Sequence, residues 1–170
     1  MYGAYDTIEN RPALRFERRL SHSVDAVWGA ITEPDELEQW FPSKVEVEAL
    51  RPGAEMTFRF ENMPLDAPST MTGRVTDLDP PRLFAFYWGG DHLRFQLEPV
   101  AGEDACTLRL TVLLDSREKA ARDAAGWHVC LDRLRRRLAG AEPGGREDWR
   151  ARYDEYQRRG VPAGAPIPGE

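Results

Sequence analysis

From Leu14 to Leu114 apolar and polar residues mostly alternate, the period of two that half-buries a β-strand. Leu14, Phe16 and Leu20 alternate with Arg15, Glu17 and Arg19, and Arg18 interrupts the apolar face once. Further runs place Val45, Val47 and Ala49 on one face, then Met56, Phe58 and Phe60, then Met71, Gly73 and Val75. Leu93, Phe95 and Leu97 follow, and Cys106, Leu108, Leu110, Val112 and Leu114 close the series. Leu83 to Trp88 is apolar on both faces, so its phase is open. Turn signals at Arg51–Gly53, Asn62–Pro68, Asp79–Pro81, Gly89–Asp91 and Gly102–Asp104 separate the runs. Short strands joined by tight turns predict an antiparallel meander with one wet face.

Two short helices break into this pattern after the first strand. Ser23 is a candidate cap for a helix that puts Val24, Val27, Trp28 and Ile31 on one side. Pro34 suits the first position of a second, with Asp35 and Glu36 in its positive first turn. After Leu114 the period becomes 3.6. Ala120, Ala124, Trp127, Leu131, Leu134 and Leu138 form one stripe, small residues first and large ones later. Asp115 and Glu118 read as a capping box, and Gly140 ends the run. A sheet wet on one face needs cover on the other, and this is the one long helix the pattern offers.

The resulting expectation is an α+β domain over residues 1–140, with six to seven antiparallel strands curved around that helix. A linker at 141–145, an amphipathic helix at 146–159 and a Pro/Gly-rich tail at 160–170, extended or mobile, complete the chain. Trp149, Tyr153 and Tyr156 share one stripe of the last helix, which must pack back on the domain or meet a partner, such as a second copy.

Composition narrows the function classes. The 170 residues carry a net charge of −6, which opposes general attraction to nucleic acid or anionic lipid. There are 21 arginines against two lysines, Lys44 and Lys119, a skew that reads as coding bias. No run approaches the ~20 apolar residues of a membrane span. The start lacks a basic segment followed by an apolar core, so a cytoplasmic protein is expected. Cys106 and Cys130 have no metal-ligand spacing and read as reduced, buried thiols. No cofactor is implied.

Several words in this sequence resemble one known family. Val27-Trp28, Ala30-Ile-Thr-Glu-Pro34 and Leu37-Glu-Gln-Trp40-Phe41 resemble its opening. Gly73-Arg-Val75, Asp79-Pro-Pro81-Arg-Leu83 and Trp88 resemble its central strands, and Phe95-Gln-Leu-Glu-Pro99 with Thr107-Leu-Arg-Leu-Thr111 the next pair. Gly126-Trp127 with Leu131, Leu134 and Leu138 resembles its last helix. The family is the activator-homologue family of the heat-shock protein 90 ATPase, within the SRPBCC/START superfamily. The resemblance, from Leu14 to Gly140, implies a helix-grip fold. It implies function only loosely, since members include a co-chaperone, binders of lipids, hormones or polyketides, and a few cyclases or hydrolases.

No catalytic set is visible in the sequence, and no metal-ligand spacing either. His22 reads as a surface or capping residue and His92 as a turn residue. His128, beside Trp127, is either a ligand contact or a satisfied boundary histidine. The aromatic inner faces carry the leading expectation, a hydrophobic cavity between sheet and helix. Its expected lining is Trp28, Trp40, Phe58, Phe60, Met71, Phe86, Trp88, Phe95, Trp127, His128 and Leu131. His128 or a buried arginine such as Arg18 would orient a ligand's polar end. An empty dry void of about 300 Å³ would cost on the order of 7 kcal/mol, against a total stability of only about 5–15 kcal/mol. The space must therefore hold side chains, water or ligand, and a modest cavity is expected. Gly126 reads as close packing beside Trp127, with ligand clearance as the alternative. Arg133, Arg135, Arg136 and Arg137 read as a solvated face near the helix C-terminus. The expected function is binding of a small hydrophobic or amphipathic molecule. The alternatives are a co-chaperone-like protein-interaction module and a cyclase, hydratase or hydrolase working in the same pocket.

Overall fold

The computed structural model describes residues 1–61, 63, 67–141 and 149–167. Parts of the expected Asn62–Pro68 loop, of the linker and of the start of the last helix lie outside them. The strands are β1 (Ala4–Ile8), β2 (Arg11–Leu20), β3 (Lys44–Val47), β4 (Glu55–Arg59), β5 (Thr70–Asp79), β6 (Leu83–Trp88), β7 (Asp91–Pro99) and β8 (Cys106–Leu113). They form one antiparallel sheet in the order β1-β2-β8-β7-β6-β5-β4-β3. Helices α1 (Val24–Thr32) and α2 (Pro34–Leu37) follow β2, α3 (Ala120–Leu138) follows β8, and α4 (Trp149–Arg158) comes last. This is the helix-grip arrangement, with α3 against the concave face of the sheet.

The strand count exceeds the expected range because β1 was not legible. It pairs with β2 through a two-residue turn, Glu9-Asn10, in which both residues have positive φ, 51° and 60°. Asn tolerates that conformation and Glu seldom adopts it, so the sequence lacks the usual Asn-Gly or Asp-Gly signal. The phase of β6 is settled by its neighbours: Phe84 and Phe86 face inward and Tyr87 is exposed. In β5 the register shifts between Val75 and Asp77. Just before it, a Cβ on Gly73 would stand 1.9 Å from the Tyr87 carbonyl oxygen, so only glycine lets the strands meet there.

The helix ends follow the sequence signals in part. The Ser23 hydroxyl accepts from the Ala26 N–H at 3.2 Å, and Pro34 opens α2. Gly140, at φ 65°, closes α3. The capping box does not form. Asp115 turns to Lys119, Glu118 accepts from the Ser116 hydroxyl, and a short 3-10 turn (Arg117–Lys119) leads into α3. An orphan donor of the first turn, the Ala121 N–H, is instead taken by the Pro162 carbonyl at 2.8 Å. The tail at 160–167 thus runs back along the start of α3.

Candidate functional site

Most of the aromatic inner face is packed solid. Trp40, Phe58, Phe86, Phe95 and Leu131 are at most 1% exposed. Their expected place was a cavity wall; they stand instead in the core. The reason is Phe41, delivered by the segment after α2 into the space between sheet and helix. Its ring lies 5.0–6.2 Å from the rings of Trp88, Trp127, Phe58 and Phe86. Trp40 donates its indole N–H to the Ala30 carbonyl at 2.8 Å, which fixes the neighbouring anchor. Trp28 is half-buried, edge-on to Phe84. A dry void is thereby avoided where water has no entry.

His128 also leaves the expected lining. It is 2% exposed on the side of α3 that faces α4. Its Nδ1 lies 3.0 Å from the Tyr156 hydroxyl, and its Nε2 lies 3.5 Å from Asp132. The Tyr156 hydroxyl accepts the Gly3 N–H at 2.9 Å, and the tautomer with its proton on Nε2, toward the Asp132 carboxylate, lets Nδ1 accept the Tyr156 O–H. Burial holds His128 neutral, with its pKa down to about 4, while Asp132 pulls the other way. Burial likewise raises the Tyr156 hydroxyl to about 12. Arg18 stands on the same side, close enough to feel Asp132 and Tyr156, and desolvation lowers its pKa. One of its nitrogens donates to the Glu17 carbonyl, and Nη2 is buried with no hydrogen-bond partner among the described residues. Two of the three stripe residues of α4, Tyr153 and Tyr156, are buried within the chain, and Trp149 is partly buried. His92, on β7 and not in a turn, meets the Thr76 hydroxyl at 2.8 Å on the outer face.

A substantial cleft lies at the end of the barrel-like grip where the β6–β7 turn faces the first half of α3. Its volume is about 650 Å³. Of the expected lining it holds Phe60, Met71, Trp88 and Trp127. Gly126 of α3 also lines it. A Cβ built there meets no atom within 4 Å. Close packing therefore does not explain this glycine, which costs a helix about 1 kcal/mol relative to alanine.

The polar rim was not foreseen. Asp91, Asp115, Lys119, Arg122 and Asp123 all border the cleft. Asp91 is 2% exposed, and both its oxygens accept from the Lys119 ammonium, at 2.9 and 2.8 Å. Asp115 accepts from Lys119 at 2.9 Å and gives its backbone N–H to Asp91. Burial pushes the Asp91 carboxyl up against the pull of Lys119. Burial would lower Lys119, but its hydrogen bonds to Asp91 and Asp115 prevail and keep it protonated. Arg122 bridges Asp123 and the Pro166 carbonyl. A signal did exist: Asp91 shares its parity with Leu93, Phe95 and Leu97, which marks it as inward-facing. Among the described residues no cluster has the make-up of a metal site, and no helix is long and apolar enough to cross a membrane.

Solved structures of similar fold span nearly the whole chain. A conserved protein of unknown function, EF2215 from Enterococcus faecalis, superimposes with a TM-score of 0.75 at 21% identity, covering 92% of this chain and 89% of its own. CalU16 from Micromonospora echinospora gives 0.69 at 20% identity, covering 92% and 93%. The protein encoded by gene BPP1335 of Bordetella parapertussis gives 0.67 at 28%, covering 86% and 85%. No curated protein matches the chain in sequence. The sequence model described as activator of Hsp90 ATPase homolog 1-like protein matches residues 21–139, the span from the end of β2 to the end of α3, and the chain belongs to that family.

Proposed function

We propose that the chain binds a small hydrophobic or amphipathic molecule in the cleft beside Gly126. The observation that carries this reading is the pairing of aromatic walls, Phe60, Trp88 and Trp127, with a helix glycine that leaves the space above it open. A site of about 650 Å³ falls in the range of small-molecule pockets, roughly 300–1,000 Å³. Apolar walls would take the ligand's body, and the Asp115, Lys119 and Asp123 rim its polar end. His128 and Arg18 have no part in that, since they lie on the other side of α3.

The rim also favours binding over turnover. Acid–base chemistry asks for a group free to gain or lose a proton near neutral pH. Asp91 and Lys119 instead satisfy each other. The test is native mass spectrometry of the purified chain, with a thermal-shift screen across lipids, polyketides and aromatic acids. A retained or stabilising ligand is expected, and Gly126→Phe should lose it. If no compound binds, or if Gly126→Phe binds as well as the parent chain, the reading fails.

A further inference from the structure

The family segment ends at residue 139, yet two side chains of the cleft wall come from beyond it, Trp149 at the start of α4 and Ile167 in the tail. Neither is there by accident of a loose end. Trp149 stacks on Tyr153 with ring centroids 5.1 Å apart and planes 10° from parallel. Tyr153 is buried, and Tyr156, one turn on, is fully buried against α3. The tail is tied at successive points. Val161 donates to the Tyr156 carbonyl at 3.0 Å, and Ala121 to the Pro162 carbonyl at 2.8 Å. Ala165 donates to the Glu118 carbonyl at 3.1 Å, and Arg122 to the Pro166 carbonyl at 2.9 Å. These ties run along the 3-10 turn and the first turn of α3, which carry Lys119, Arg122 and Asp123, and they set Ile167 at the cleft.

From this we infer that the C-terminal extension is part of the ligand site. Trp149 and Ile167 form its outer wall, and the 160–167 strap holds that wall in place. The inference rests on the cleft being the binding site. Its physical content is that the β-sheet and α3 alone leave the ligand's apolar body wet on one side. The extension covers that side, so occupant and strap stabilise each other.

The probe is N-phenyl-1-naphthylamine, an uncharged apolar dye that brightens out of water and accepts energy from tryptophan. It is titrated into the full chain, into a chain ending at Gly160, and into the full-length Ile167→Asp variant, with circular dichroism of each. The full chain should bind the dye with energy transfer from Trp88, Trp127 and Trp149. Both altered chains should bind at least five-fold more weakly, about 1 kcal/mol. Ile167→Asp decides the matter alone if the shortened chain does not fold. Equal affinity in the full chain and Ile167→Asp would overturn the role of the extension and leave the cleft reading standing. Failure of the full chain to take up the dye would overturn both.

Discussion

The Nδ1 atom of His128 lies 3.0 Å from the phenolic oxygen of Tyr156, and through that oxygen the chain joins three distant segments. Tyr156 belongs to α4, His128 to α3, and the Gly3 N–H that the oxygen accepts to the N-terminal segment before β1. Tyr2 adds to the joint, its ring 4.8 Å from His128 and 5.2 Å from Tyr156.

Removing that one oxygen should be costly. Tyr156→Phe leaves the part-buried Gly3 N–H and the buried His128 ring nitrogen without this partner, a loss of about 2 kcal/mol. In a chain of this size that corresponds to a fall in melting temperature of roughly 4–8 °C. Calorimetry of the variant checks it; an unchanged melting point would mean that water replaces the hydroxyl.

The same joint makes stability depend on pH. His128 titrates near 4 when folded and has an ordinary value of 6.5. Between these values the unfolded chain binds the extra proton, so stability is full above 6.5 and falls as pH drops toward 4. The total loss from this group is on the order of 3 kcal/mol. Urea midpoints measured from pH 7 to 4 should fall in the parent chain and fall less in His128→Gln, once the slope from carboxylates is subtracted.

Gly126 gives opposite results for small and large replacements. Gly126→Ala should stabilise the chain by about 1 kcal/mol, since helix propensity improves and the new methyl meets nothing. Gly126→Phe should fold as well but fill the cleft. Thermal melts of both variants with dye binding check this, and a destabilised Gly126→Ala would show that the position is crowded after all.

Lys119 neutralises a carboxylate with almost no access to water. Lys119→Met should cost about 3 kcal/mol at neutral pH, because Asp91 is left buried and unpaired. Burial already raises the folded Asp91 carboxyl, and without the pull of Lys119 it would hold a proton more tightly still. The variant should therefore regain stability, relative to the parent, as pH falls below neutral. Lys119→Met paired with Asp91→Asn should recover most of the loss at pH 7. Parallel urea titrations of the parent and both variants test the whole set.

Periodicity made the sheet, α1 and α3 legible because a half-buried strand and a one-faced helix each print their spacing into the sequence. Ser23, Pro34 and Gly140 marked boundaries for the same local reason. The Glu9-Asn10 turn hid β1, since its residues are unusual in a conformation that only pairing with β2 makes worthwhile. The site was legible by half. Parity placed Phe58, Phe60 and Phe95 on the inner face, yet it does not say which inward residues touch one another and which touch space, and it left Phe86 and Trp88 undecided.

Local order along the chain therefore determined every main element but β1, their order, the face presented by all the legible strands but β6, and the family to which residues 21–139 belong. Tertiary structure alone decided where the hollow lies. Phe41 fills the middle of the grip, Tyr156 covers His128 at the back of α3, and the tail brings Ile167 to the mouth. Each of these is a contact between residues far apart in sequence, and a period of two or 3.6 fixes a side chain's direction without fixing what stands opposite it.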